Sequence, residues 1–350
     1  MGVGLSGCAD ERMRRYANEL IKVCNNLNPK SKFRIPKYHN MLSRVAASLY
    51  WLSRYVERSD GILRMLKINY ASSQDTVQEF TWEPVVRIFA GQNEETQKLG
   101  NDSRAVMRYM VCGKNNQNSI LNIITFAREN ARGVQEHITK DLWQCLNEYY
   151  HTIKDGRIDN ALKKDDPVSV LDVLIKQVML YYGTVEITME RGEGRSYMNI
   201  GKYLERGIQS VDILDTKFGS IDNNPDLLTD TTYWKHLLLS LGGYELYLKK
   251  YREGFEAENV LEQVALNNDF PRSVIYSVNH IQRYFDRLKN DSNIDDYREL
   301  SFYIGRLQSN IKYSSVKTIK EEGLHQFLTQ IRSQLYGIGD SLNNYYFAKS

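Results

Sequence analysis

The apolar positions between Leu42 and Leu66, LSRVAASLYWLSRYVERSDGILRML, repeat at the helical period. Val45, Leu49, Leu52, Val56, Leu63 and Leu66 fall about three or four residues apart, with one break at Ser59, and make a single apolar stripe. A second stripe, Trp51, Tyr55, Arg58, Ile62 and Met65, lies on a neighbouring part of the wheel. Together they cover more than half of the circumference, which predicts a central helix packed from several sides. Tyr50, Arg54, Glu57, Gly61 and Arg64 are the polar remainder. Arg58 interrupts an aromatic stripe, where a guanidinium is costly unless it is paired and hydrogen-bonded.

The pattern returns at Tyr197 to Leu214 when the chain is shifted by 148 positions. Arg54-Tyr55-Val56-Glu57-Arg58 then falls on Lys202-Tyr203-Leu204-Glu205-Arg206, with Leu52 on Ile200, Leu63 on Val211 and Leu66 on Leu214. A basic-Tyr-aliphatic-Glu-Arg string occurring twice predicts two related helical halves. Arg283-Tyr284-Phe285-Asp286-Arg287 keeps the order basic-aromatic-apolar-acid-Arg and is either a third echo or chance.

The rest of the chain also reads as helix. Thr76 to Asn118 predicts short helices broken by Pro84, Gly91, Gly100 and Gly113, after a turn at Ser72 to Asp75. A long helical pattern follows from Ser119, with Val134, Ile138, Leu142, Leu146 and Tyr149 as its stripe; Arg128, Glu129, Arg132 and Glu136 run alongside at ion-pair spacing. His151 to Asp166 is polar and turn-rich, a candidate boundary between halves. Pro167 opens a helix through Val170, Leu171, Leu174, Val178 and Tyr181 that stops near Arg191-Gly192-Glu193-Gly194-Arg195. That glycine pair fits neither a P-loop nor a dinucleotide fingerprint and reads as an interhelical loop. A loop at Gly219 to Asp226, a helix from Tyr233 to Tyr251, a helix opened by Phe270-Pro271-Arg272, and helices Tyr297 to Tyr313 and Val316 to Tyr346 complete the pattern. In the third of these, Val274, Val278, Ile281, Phe285 and Leu288 make a core stripe. Arg272, Tyr276, His280, Arg283 and Arg287 make a second stripe, either a solvated surface or an anion-binding wall.

Composition narrows the function classes. Six prolines in 350 residues leave gaps that hold several helices each, so the fold class is all-α, a multi-helix bundle. A net charge of +3 with 25% charged residues gives no excess to attract nucleic acid. The 24 tyrosines imply semi-polar packing between helices or a wet groove. Cys8, Cys24, Cys112 and Cys145 form no CxxC pair and no metal spacing with the six histidines, which fits a reducing cytoplasm and predicts neither metal nor cofactor. No run of 18 apolar residues is present, so a membrane span is not expected. Residues 1–40 differ from the rest. MGVGLS and Leu5-Ser6-Gly7-Cys8 match lipidation patterns only loosely. The segment is either an upstream extension, with Met41 the true start, or a helical arm around Arg12 to Val23.

Four ordered stretches carry a family resemblance. MLSRVAASLYWLSRYVER at Met41 to Arg58, Ala127 to Tyr150, Tyr197 to Arg206 and NDFPRSV at Asn268 to Val274 together resemble the alpha-E family, a bacterial all-helical domain named for its Glu-Arg motif. The resemblance covers about Met41 to the C-terminus, with a first half near 41–155 and a second near 165–350. It implies association with a circularly permuted ATP-grasp ligase and a transglutaminase-like protein, hence with a peptide-ligating system. It also implies that Arg128, Glu129 and Arg132 turn towards the Glu-Arg helices; spacing alone reads them as a solvated charged face.

Three functions follow for the motif. Arg54, Glu57, Arg58, Lys202, Glu205 and Arg206, with Arg128, Glu129, Arg132, Arg272 and Arg283, could line a groove that binds the partner ligase or its peptide or amino-acid ligand. Glu57 and Glu205 could serve an enzyme as general bases on amide or amino-acyl phosphate bonds, the arginines holding carboxylate or phosphate. Alternatively Glu57 with Arg206, and Glu205 with Arg58, could pair across the two halves and act only on the fold.

Overall fold

The long apolar segment forms α1, the 30-residue helix Ser43–Ser72, in a computed structural model that describes residues 41–74, 81–91, 94–164, 166–219, 231–252, 254–289 and 294–348. The first predicted stripe is sealed and the second only in part. Val45, Leu49, Leu52, Val56, Leu63, Leu66, Ile62 and Met65 are buried, and Trp51 and Tyr55 pack half-buried against the core. The remainder that looked polar is mostly buried too: Tyr50, Arg54, Glu57 and Gly61 are all enclosed, and only Arg64 stays half-buried. A helix enclosed in this way must satisfy its own charges, and the second motif helix does that for it.

That helix is the 27-residue Glu193–Gly219. It is the ninth helix in chain order among the described residues. Before it come α2 Glu83–Phe89, α3 Glu94–Leu99, α4 Ser103–Cys112, α5 Ile120–Gly133, α6 Lys140–Lys154, α7 Gly156–Lys164 and α8 Pro167–Thr188. After α9 come α10 Thr231–Ser240, α11 Tyr244–Lys250, α12 Ala257–Leu261, α13 Val274–Phe285, α14 Ile294–Lys312, α15 Val316–Glu322 and α16 Leu324–Leu342, with short 3-10 or π turns between some of them. α1 packs along α9 and is flanked by α5 and α8, while α6 bridges α5 and α8. α13 and α16 cover the far side of α9, and α14 packs on both. Residues 41–350 make one compact unit. α1 and α9 approach closely at Gly201, where a Cβ atom would sit 2.3 Å from the Tyr50 carbonyl oxygen.

Local chemistry explains where several expected helices divide. Pro84 does not break a helix but lies in the first turn of α2, where its missing N–H costs nothing. The long pattern from Ser119 is two helices. α5 is capped by Ser119 and ends at Gly133; α6 restarts behind Thr139, whose hydroxyl accepts from the Leu142 N–H. Buried Val134 and Ile138 fill the corner between them. The polar stretch His151 to Asp166 is largely helical, since α6 runs to Lys154 and α7 follows at once, with buried Ile158 and Leu162 supplying its apolar face. Tyr233 to Tyr251 divides at 241–243, where a Cβ on Gly243 would strike the Phe270 ring at 2.7 Å. Pro271 precedes α13 instead of opening it; Ser273 is the cap and accepts from the Tyr276 N–H. The last helix divides at Gly323, whose φ of 96° lies in the left-handed region that glycine adopts without strain.

Among the described residues one helix, α8, is long and apolar enough to cross a membrane by length and composition alone, a property that a core helix shares. Val170, Leu171, Leu174, Val178 and Tyr181 of α8 are buried in the core, while Val173, Met179, Leu180 and Ile187 are exposed. The tyrosines are mainly packing residues, with Tyr50, Tyr149, Tyr181, Tyr197, Tyr203 and Tyr247 all buried. Cys112 and Cys145 are free thiols. The extension at 1–40, the start at Met41, the arm at Arg12 to Val23, Cys8 and Cys24 lie outside the described residues, as does nearly all of the loop at Gly219 to Asp226.

Candidate functional site

Adjacent residues of a helix point about 100° apart, so a Glu-Arg dipeptide cannot pair with itself along one face. Where two such helices cross, each glutamate meets the other helix's arginine. Arg206 Nε and Nη2 donate to Glu57 Oε1 and Oε2 at 2.7 and 2.9 Å. Reciprocally, Arg58 Nε and Nη2 donate to Glu205 Oε1 and Oε2 at 2.6 and 3.1 Å. Both pairs have the forked geometry that only arginine offers a carboxylate. Glu57 is 0% exposed and Glu205 2%.

Each carboxylate has further donors, and here the symmetry fails. Glu205 Oε2 also accepts from Arg54 Nε and Nη2 at 2.9 and 2.8 Å. Arg54 is itself buried beneath Trp51, whose ring centre is 4.8 Å from the guanidinium carbon. The equivalent residue on α9, Lys202, does not reach Glu57. The hydroxyl of Tyr182, from α8, donates to Glu57 Oε2 at 2.5 Å instead. Arg272 Nη1 comes within 3.5 Å of Glu57 Oε1.

Burial by itself would raise both carboxylate pKa values. Arg206 and Arg272 overcome it at Glu57, and Arg58 and Arg54 at Glu205, so both acids are held below the ordinary range. Burial likewise works against the charge on Arg206 and Arg54, yet their glutamates raise both above the usual value. The quartet is therefore charged throughout and satisfied from within.

The Pro-Arg-Ser-Val turn is fastened to this centre. Arg272 forms an ion pair with Asp60, which also takes Arg64 Nε at 2.9 Å. Arg206 Nη1 donates to the Pro271 carbonyl at 3.2 Å and Ser210 Oγ to the Arg272 carbonyl at 2.8 Å. The acids that match Arg272 thus come from α1, one turn apart, and not from its own helix. The expected wall of bases along α13 does not form as a unit. Tyr276 and His280 stack beside Tyr203, with the His280 ring centre 4.5 Å from that of Tyr203, while Arg283 and Arg287 are exposed. The third echo stays apart, because Asp286 is exposed and accepts from Gln282 and Tyr297.

Arg128, Glu129 and Arg132 correct the expectation that they face the motif helices. The side of α5 that meets the core carries Ile120, Ile123, Ile124, Ala127 and Ala131, which turns the charges outward. Arg128 donates to Asn147 on α6 at 2.7 Å and lies over the Tyr150 ring at 4.8 Å. Arg132 and Glu129 are exposed and pair with each other at 3.0 Å.

Lys202 lines a cavity of about 330 Å³ with Tyr182, Arg195, Asn199 and Arg206. Arg195, expected in a loop, is buried in the first turn of α9. It donates to the Val185 carbonyl at the end of α8 at 2.8 Å and pairs with Glu186. On the other side of the quartet, Arg58 opens on a cavity of about 190 Å³ with Asn118, Gln209, Asp212 and Tyr336. Next to it Arg332 bridges Asp212 and Asp215 at 2.6 and 2.8 Å, and His325 Nδ1 lies 2.7 Å from Asp215. Burial raises the Asp212 pKa to about 6 against the pull of Arg332. Sequence reasoning missed Asp60, Tyr182 and this cluster. Asp60, three residues beyond Glu57 and so on the same face, carried a readable signal; Tyr182 and Asp212 carried none, since their partners are remote in the chain. Among the described residues no group of three or more His, Cys, Asp or Glu could hold a metal ion.

The Alpha-E family model, described as a predicted alpha-helical domain with a conserved ER motif, matches residues 41–347. Two uncharacterised proteins, of Mycobacterium bovis and Mycobacterium tuberculosis, are each 18% identical over 329 residues, covering 86% of this chain and 36% of theirs. The chain thus spans about a third of the length of the curated relatives it matches. No solved structure matches.

Proposed function

Since the chain belongs to the Alpha-E family, we propose that it is a helical accessory subunit of a peptide-ligating system, a scaffold that binds an ATP-grasp ligase or its peptide and is not itself the catalyst. One observation carries this reading: both motif glutamates are buried and fully engaged by arginines of the same chain. A general base needs a lone pair open to the substrate and a pKa near the working pH. Glu57 and Glu205 have neither, because their arginines hold them low and occupy them. The motif then acts as a lock that fixes α1 on α9, and partner recognition falls to the outer edges of the guanidinium groups. Arg58, which is 27% exposed at its side chain and also donates to Asn118 at 3.3 Å, is one such edge. The ATP-grasp ligase and the transglutaminase-like protein are the partners that the family resemblance implies.

The test is a tagged pull-down from the native host, with and without nucleotide, comparing wild type with an Arg58→Lys, Arg206→Lys variant shown to be folded. Lysine keeps the charge and loses the planar fork. Recovery of an ATP-grasp protein by the wild type supports the reading. Its absence under every nucleotide condition overturns it. Loss in the variant alone assigns the guanidinium edges to the interface, whereas equal recovery supports the scaffold reading and confines the motif to the fold.

A further inference from the structure

Lys202 and Arg54 occupy equivalent registers of the two motif helices, and the symmetry of the quartet would send Lys202 to Glu57 as it sends Arg54 to Glu205. Tyr182 takes that lone pair instead. The Lys202 ammonium is left over aromatic rings, 4.4 Å from the centre of Tyr203 and 6.0 Å from that of Tyr182. It has no carboxylate within ion-pair distance among the described residues. An ammonium group has three N–H donors, and removing them from water without an acceptor is costly. Lys202 is half-buried and lines an open volume.

That volume is the cavity between α8 and α9, at about 330 Å³ within the range of small-molecule sites. Its charged lining is Lys202, Arg206, Arg195 and Glu186. Arg206 is neutralised by Glu57, and Glu186 by Arg195 and Arg191. The uncompensated charge is therefore that of Lys202. Buried Asn199 and Ser53 complete the polar lining. Asn199 spends its amide N–H on the Arg195 carbonyl, and Ser53 meets the Tyr181 hydroxyl at 3.0 Å. Burial, reinforced by Arg206 and only partly offset by Glu57 and Glu186, lowers the Lys202 pKa to about 8. At neutral pH it is still predominantly charged.

We propose that this cavity binds a small carboxylate- or phosphate-bearing ligand, with Lys202 contacting the anionic head and the Tyr182 ring shaping the wall beside it. An anion there supplies the counter-charge that the register denies Lys202. The site stands apart from the ligase partnership, since its lining does not depend on any other chain.

The experiment is a calorimetric and NMR titration of the full chain at pH 7 and constant chloride, using two probes, inorganic phosphate and N-acetylglycine. Wild type is compared with Lys202→Met, which keeps length without charge, and with Lys202→Arg, which keeps charge. The expected result is saturable binding of at least one probe that falls about tenfold or more in Lys202→Met, as loss of a charge-assisted contact implies, and persists in Lys202→Arg. Saturation by phosphate alone identifies a phosphate head, and by N-acetylglycine alone a carboxylate head. In the absence of probe, Lys202→Met should melt no lower than wild type, so that lost binding is not lost fold. Failure of both probes to saturate, or equal binding by wild type and Lys202→Met, overturns the proposal.

Discussion

Arg54 and Lys202 stand at equivalent places on the two crossing motif helices, yet among the described residues only Arg54 of the two reaches a carboxylate, with Nη2 2.8 Å from Glu205 Oε2. The corresponding oxygen of Glu57 accepts from the Tyr182 hydroxyl, beside Arg206 Nη2. Tyr182→Phe removes a donor from a buried acceptor and should cost about 1–3 kcal/mol. Adding Lys202→Arg lets a guanidinium take the vacated position and should recover part of that loss. Chemical denaturation of the two single variants and the double variant measures it; strict additivity would refute the register equivalence.

The crossed pairs themselves should behave as one buried unit. Glu57→Gln leaves Arg206 uncompensated, Arg272 keeping Asp60, and should cost about 3–5 kcal/mol, as should Arg206→Met, while the double variant loses clearly less than their sum. Arg58→Ala should also lower the melting temperature. An unchanged value would exclude the locking role of the Glu205 pair.

The pH dependence has two components of opposite sign. Glu57 and Glu205 have depressed folded pKa values, so their contribution is complete above the ordinary carboxylate value of about 4.3 and is lost as pH falls through the lower folded value. Asp212, raised to about 6 by burial, acts in reverse: its contribution is complete below about pH 4 and lost as pH rises through about 6. A Glu57→Gln, Glu205→Gln variant should therefore show a shallower acid limb. Asp212→Asn should remove the decline between about pH 4 and 6. Stability curves from pH 3 to 8 separate the two.

Glu129→Ala and Arg132→Ala should each stay within about 0.5 kcal/mol of wild type, because both side chains are exposed and their ion pair lies at the surface. A loss like that of Arg58→Ala would return them to the centre.

Gly201→Ala should cost at least about 1–3 kcal/mol, since the added methyl falls on the Tyr50 carbonyl and forces α1 from α9. Crystallography of the variant would show the widened crossing; unchanged stability would mean that the helices separate freely there.

The sequence by itself determined the helices and which of their faces are buried, because an amphipathic period is a local property written at spacings of three and four. The stripes of α1 and α13 were legible for this reason, and so was the repeated Glu-Arg string. The helix divisions at Thr139, Ser273 and Gly323 were less so. Each depends on a single cap or a left-handed glycine, which weighs little against a continuing apolar pattern. Only the tertiary structure decided which charge answers which. Glu57 draws on α9, α8 and the turn before α13, and the separation of those donors along the chain, 125 residues for Tyr182 and 215 for Arg272, leaves no trace in any local spacing. The burial of Arg54, the turn of Arg128 towards Asn147 and the displacement of Lys202 from Glu57 by Tyr182 share that cause. Side-chain partners are set by how helices cross, and a crossing is fixed by the packed whole.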